Sequence, residues 1–363
     1  MPATIVETNT APFSRIDVDT VTVDIIENAL RNAREEMDAV LFRTAMSPGI
    51  REQGDCFPMI ANKDGKMVVG QFGSFIHGFT EAYDAELEEG DIILTNDPYL
   101  CNAAVSHLPD WIVLVPIFKD GRHMAWSAMF GHMSDIGGMV PGSIPIKAET
   151  IFQEGIRIPP TKLYKKGVLQ SDVLELILHN VRTPQWNRFD LNALVAACNT
   201  AAKRCVEMAE RFGDDIFYST MEIMLERNHM AMKAIIEMIV PEEPRVFEDY
   251  VCDDGVGQGP YKIRCKMWRE GSTAIFDFDG QSVHLAVFMG NQPILDNLRK
   301  TVNDLLHRTG KDIDAAHNHH VIRAAEHATL QQNKSIRSLG VTCGADQIAC
   351  AIANQRAAGP AQR

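Results

Sequence analysis

The 363-residue chain contains no Cys-x-x-Cys pair, no Walker A sequence and no Gly-x-Gly-x-x-Gly stretch. The last two absences leave the chain without a nucleotide site of its own. Its eight cysteines (Cys56, Cys101, Cys198, Cys205, Cys252, Cys265, Cys343, Cys350) are scattered. A small disulfide scaffold would cluster them, so they read as buried free thiols. Positive charge is scarce: 35 Lys plus Arg stand against 48 Asp plus Glu, a net charge of −13. With no long basic face for phosphates, nucleic-acid binding is excluded. No apolar run approaches the roughly 18 residues of a membrane span. The opening MPATIVETNTAPFSRIDVDT lacks the basic-then-apolar pattern of a secretion signal, so the expected compartment is the cytoplasm.

What is present is the composition of an ordinary globular protein, 45% hydrophobic and 23% charged. One large domain or two smaller ones are expected. Residues 1–19 form a polar arm. From Thr20 to Met46 apolar residues recur at helical spacing, with Ile25, Ala29, Ala33, Met37 and Val40 as the expected buried stripe. Between Ile50 and Ile117 the rhythm changes to short apolar runs (PMIAN, KMVVGQF, DIILTN, WIVLVPIF) separated by Asp-Gly and Gly-Asp turn signals. Helical pattern returns at Ser171–Asn180, with Ser171 as N-cap, and again over residues 190–213. There Asp190 is the expected N-cap, Gly213 the C-terminal stop, and Cys198 and Cys205 share one face. A further helix is expected over 215–238 and strands over 245–280. Helix, strands, helices, strands is the order of an α+β fold with an antiparallel, strand-rich core and flanking helices.

After Gly280 the composition shifts: nine Lys plus Arg meet six Asp plus Glu, half of the 12 histidines fall here, and Phe288 is the only aromatic. Residues 281–363 are therefore set apart as an atypical tail, truncated or out of frame. Its HNHH run (317–320) reads either as a metal-binding tract or as part of a solvated tail.

The sharpest constellation lies in loops beside the strands. In SHLPD, His107 and Asp110 are three apart, just before WIVLVPIF; His132 follows in GHMSDIGG. The stretch between them reads as two strands around a Lys119-Asp120-Gly121 turn. A hairpin of that length returns the chain to its starting edge, setting His132 beside His107 and Asp110. Two imidazoles and a carboxylate with open positions suit Zn²⁺, Mn²⁺ or Fe²⁺; two surface histidines and a turn aspartate are the plainer alternative. A metal there would polarise a carbonyl or activate water. Asp55, in REQGDCFPM, is either a fourth ligand, a general base or a turn carboxylate. Gly137, Gly138 and Ser143, in GGMVPGS, offer a loop whose N–H groups suit an oxyanion. His123 reads as an ordinary surface histidine, His77 as a hydrogen-bonded core histidine and Asn96-Asp97-Pro98-Tyr99 as a turn first and a site second, and Cys56 has no partner arrangement for a nucleophile.

Several stretches in order carry a resemblance: VDIIENALRNAREEMDAVLFRTAMSPGIREQGDCFPMIANKDGKMV, GDIILTNDPYLCNAAVSHLPDWIVLVPIF, GHMSDIGGMVPGSIPI, EGIRIPPTKL and NVRTPQWNRFDLNALVAAC. Together they resemble the hydantoinase B/oxoprolinase family over residues 17 to 280. That family includes B-type subunits of N-methylhydantoinase and 5-oxoprolinase, and alpha or delta subunits of acetone and acetophenone carboxylases. The resemblance implies a hydantoinase B-like fold in residues 20–280 and a hetero-oligomer with a hydantoinase A-type, ATP-binding partner that phosphorylates an enolate or lactam oxygen. It also implies a divalent metal on the His-x-x-Asp pair and later histidine, here His107, Asp110 and His132. Asp55 falls in a segment resembling the family's acidic motif. Family chains run longer than 363 residues, and the pattern fades after FDFDG. The expected function is ATP-dependent opening of a cyclic amide, with Asp55 and His132 at the chemistry. Ketone carboxylation, or a non-catalytic structural subunit or inactive remnant, are the rivals.

Overall fold

The computed structural model describes residues 4–70, 76, 79–80, 83–100, 105, 107–251, 259–277 and 321–323. His77, the HNHH run and nearly all of the tail after Gly280 lie outside these residues. In chain order the elements are β1 (Thr4–Ile5), α1 (Thr20–Thr44), α2 (Pro48–Arg51), β2 (Cys56–Asn62), β3 (Met67–Val69), β4 (Glu86–Leu87), β5 (Ile92–Thr95), β6 (Asp110–Lys119) and β7 (Arg122–His132). There follow a 3-10 turn (Ile151–Gln153), β8 (Thr161–Lys165), β9 (Val168–Leu169), α3 (Ser171–Leu178), α4 (Pro184–Phe212) and α5 (Asp214–Ile239). Last come β10 (Arg245–Val251), β11 (Tyr261–Glu270), β12 (Thr273–Asp277) and β13 (Val321–Arg323). The fold is α+β.

Seven strands form an antiparallel sheet in the order β3-β2-β7-β6-β5-β8-β9. Its central strands are covered on both faces, which is why WIVLVPIF is continuously apolar rather than alternating. Along β6, Trp111, Val113, Val115 and Ile117 point to the side of α1 and α4. Ile112 and Leu114 point to the other side, among Phe57, Met59, Phe79 and Tyr83. A second antiparallel sheet, β10-β11-β12-β13, packs against the C-terminal part of α5 through Ile236, Val240 and Ala274.

The N-terminal arm is strapped down despite its polarity. Val6 N donates to Leu87 O, Thr8 N to Gly121 O and Ser14 N to the Asp215 carboxylate, while Phe13 stacks on Tyr218.

Two details of the helices differ from the sequence reading. In α1 the buried face is Val23, Ile26, Leu30, Ala33, Met37 and Leu41, while Ile25 is exposed. The stripe is turned by part of a helical step because α4 and α5 pack against that neighbouring face. Asp190 is not an N-cap. The helix begins six residues earlier at Pro184, whose missing N–H costs nothing at a first turn. Asp190 instead lies wholly buried inside α4, where its carboxylate accepts from Met46 N, Ser47 N and Ser47 Oγ. Ser171 is likewise not an N-cap but the first helical residue of α3, the cap position falling to Gln170 without a side-chain bond, while Gly213 closes α4 at φ 97°.

Candidate metal centre

The β6–β7 hairpin turns at Asp120-Gly121 and pairs Asp110, first residue of β6, directly opposite His132, last residue of β7. β2 lies against the other side of β7 in a register that sets Cys56 opposite Gly131, so Asp55 emerges beside His132. Main-chain bonds lock the three ends together: His132 N donates to Asp55 O at 3.0 Å and Met133 N to Pro109 O at 2.9 Å.

The side chains converge on one point. Asp110 Oδ1 is 3.1 Å from His107 Nε2 and 3.0 Å from His132 Nδ1, and the two ring nitrogens are 3.3 Å apart. For a cation bonded at about 2.0–2.2 Å to N and O donors, neighbouring ligand atoms lie roughly 2.8–3.5 Å apart. The triangle fits that spacing, and the donor set suits a divalent transition metal. Among the described residues no other group of three or more His, Cys, Asp or Glu side chains is arranged to hold a metal ion.

The same three side chains are also tied together by charge. Burial opposes charge on His107, but the Asp110 carboxylate and its hydrogen bond outweigh that and lift the imidazole to about 9. Burial likewise raises Asp110, yet the charges and hydrogen bonds of His107 and His132 hold its carboxyl well below the usual range. Such a site concentrates negative charge where two ring nitrogens present either protons or lone pairs.

Asp55 stands at the rim. Its Oδ2 is 3.5 Å from His132 Nδ1, and burial followed by the Asp110 charge raises its carboxyl. It lies outside the three-atom cluster, so its place is that of a neighbouring carboxylate.

The glycine loop is a correction to the sequence reading. Gly137 N donates to Asp135 Oδ1, Gly138 N to Ser143 Oγ, Gly142 N to Asp135 Oδ2 and Ser143 N to Val140 O. Ser143 Oγ also accepts from Ile136 N, and Arg182 clamps Asp135 and Gly138 O from outside. These N–H groups are consumed within the loop, so the oxyanion role given to Gly137, Gly138 and Ser143 is withdrawn. The glycines serve close approach instead. A Cβ on Gly138 would lie 2.3 Å from Glu154 O, and one on Gly137, at φ 83°, 2.0 Å from Asn180 O.

That approach brings in a residue the sequence did not single out. Glu154 is 3% exposed and its Oε2 accepts from Leu108 N, between His107 and Asp110. Burial pushes its carboxyl up to about 7. Nothing in EGIRIPP distinguishes it from a surface glutamate. Asn96 is fully buried and bonds Leu108 O, Ile156 O and Ile158 N, whereas His123, expected at the surface, is buried against Phe118 and Trp126, which drives its imidazole down to about 4. Burial also pushes the Cys56 thiol up to about 12, which suits packing and not nucleophilic attack.

The hydantoinase B/oxoprolinase family model matches residues 19–292. The chain belongs to the hydantoinase B/oxoprolinase family. The caprolactamase subunit beta of Pseudomonas jessenii is 30% identical over 266 residues, 71% of this chain and 45% of that protein. The acetophenone carboxylase delta subunit of Aromatoleum aromaticum is 28% identical, over 56% of this chain and 30% of that protein. The crystal structure of the ATP-dependent caprolactamase of Pseudomonas jessenii superposes with a TM-score of 0.61 at 26% identity, covering 71% of this chain and 46% of that one. A nucleotide-free acetone carboxylase structure shares the fold, with a TM-score of 0.68 at 18% identity over 86% of this chain and 43% of that one. The chain thus spans less than half the length of each of these relatives. Among its described residues, no helix is long and apolar enough to cross a membrane.

Proposed function

We propose that residues 20–280 form the metal-bearing part of an ATP-dependent, hetero-oligomeric enzyme of the cytoplasm that opens cyclic amides of the hydantoin or 5-oxoproline type. The single observation that carries this reading is the His107–Asp110–His132 triangle, whose 3.0–3.3 Å spacing suits one divalent cation, Zn²⁺, Mn²⁺ or Fe²⁺. When bound, the cation supplies a Lewis acid that polarises a carbonyl oxygen. His107 and His132 present ring nitrogens to it, and Asp110 supplies the neutralising charge. Asp55, at the rim with a raised carboxyl, takes up and returns the proton of the attacking or departing group. The chain has no phosphate-binding motif of its own, so ATP is bound by a partner of the hydantoinase A type.

Ketone carboxylation is the second reading. The acetophenone carboxylase relative and the acetone carboxylase fold support it. The same cation would then stabilise an enolate. The test is the assembled complex with hydantoin or 5-oxoproline and, separately, with a ketone plus bicarbonate. Substrate-dependent ATP hydrolysis with the cyclic amide supports the first reading; hydrolysis driven only by the ketone mixture replaces it with the second. A complex that keeps full activity with His107→Ala would reduce this chain to a scaffold.

A further inference from the structure

Glu154 is a buried carboxylate with too few partners. Its Oε2 accepts one backbone N–H, from Leu108 at 3.2 Å, and its Oε1, fully buried, has no hydrogen-bond partner among the described residues. Burying an ionised carboxylate with a single hydrogen bond is costly unless positive charge stands near it. The position is also built with care. Thr150 and Gln153 close a capping box around the 3-10 turn, Met139 N bonds Gln153 O, and Ile156 N bonds Ile136 O. The glycines at 138 and 155 let the two backbones touch: a Cβ on Gly155 would lie 2.5 Å from Ile136 O. The scaffold therefore holds a carboxyl group behind the loop that carries His107 and Asp110.

We propose that Glu154 is a positioning residue of the metal centre: its carboxylate fixes the His107–Asp110 loop through Leu108 N, and its unpaired oxygen supplies negative charge that favours a divalent cation on the triad. The inference rests on the metal reading of that triad. A cation with two neutral imidazoles and one carboxylate keeps a net positive charge, and Glu154 is the buried group placed to balance it. Carboxylates that hydrogen-bond a ligating histidine directly are worth about 10–100-fold in metal affinity; Glu154 acts at one remove, through the backbone N–H of Leu108 between two of the ligands.

The test is Zn²⁺ affinity of the full chain, measured by chelator competition at pH 7 for wild type, Glu154→Gln and Glu154→Asp, with melting in chelator alongside. The glutamine carbonyl still accepts from Leu108 N but carries no charge. Its affinity is expected to fall about 10–100-fold with no loss of melting temperature in chelator. Affinity within about threefold of wild type would overturn the role of Glu154 while leaving the triad intact. If the glutamine variant does not fold, Glu154→Asp, which keeps the charge, decides: retained affinity supports the inference and a tenfold or greater loss overturns it. A wild-type chain that takes up no Zn²⁺ overturns the triad itself, and is distinguished from a failed Glu154 by the wild-type titration alone.

Discussion

Replacing Asp190 with alanine gives the sharpest structural prediction. Its carboxylate, wholly buried within α4, accepts from Met46 N at 2.5 Å, Ser47 N at 3.2 Å and Ser47 Oγ at 2.5 Å. Ser47 Oγ in turn accepts from Ser134 N at 3.1 Å, two residues beyond His132. Alanine removes the acceptor for three donors around Ser47, which is 1% exposed. Each stranded donor costs about 1–3 kcal/mol, and relief of a buried charge offsets part of the total, so a net loss of about 3–5 kcal/mol is expected. Asn keeps one oxygen acceptor and should lose roughly half as much. Urea unfolding in chelator at pH 7, with an unchanged slope, reads the difference directly. A loss below about 1 kcal/mol would refute the reasoning, because it would mean that water or rearrangement satisfies those donors.

Other consequences follow from the same structure. Without metal, His107 at about 9 against an ordinary 6.5 contributes stability that is complete below pH 6.5 and lost as pH rises through 9; Glu154, raised to about 7 from 4.5, destabilises as it ionises and acts in the same direction. Melting in chelator should therefore fall from pH 6 to pH 9, whereas Zn²⁺-stabilisation should grow over that range as His107 gives up its proton; equal slopes with and without metal would contradict the shared site. Gly138→Ala, with its Cβ 2.3 Å from Glu154 O, should cost about 1–3 kcal/mol and several degrees of melting temperature; an unchanged melt would refute the close-packing role. Asp55→Asn in the assembled complex should retain metal yet lose about 10²–10⁴ in turnover, and wild-type turnover would remove it from the chemistry. Cys56, Cys198 and Cys205, all buried with thiols raised by desolvation, should react with a thiol reagent only after unfolding.

The hairpin was legible because a turn signal between two long apolar runs fixes register locally, and register alone sets Asp110 opposite His132. Asp55 was legible as a candidate carboxylate but not in its place; its approach to His132 depends on β2 pairing with β7, a contact across some seventy residues. The stripe of α1 went astray because two helical stripes fit its sequence, sharing Ala33 and Met37, and packing against α4 and α5 selects between them. Asp190 misled because the oxygen that caps a helix also serves as a buried acceptor, and only the tertiary fold says which. The glycine loop differs because its N–H groups look available in sequence until Asp135 and Ser143 fold in to take them, and Glu154 stays unmarked because only the tertiary fold buries it beside Leu108.

Metal content of the purified full chain, wild type against His132→Ala, tests the central claim most directly. The account predicts about one equivalent of Zn, Mn or Fe in the wild type and its loss in a folded variant. No metal in either protein, both folded and supplied with all three ions, would contradict it and leave the triangle as a hydrogen-bonded corner of the sheet.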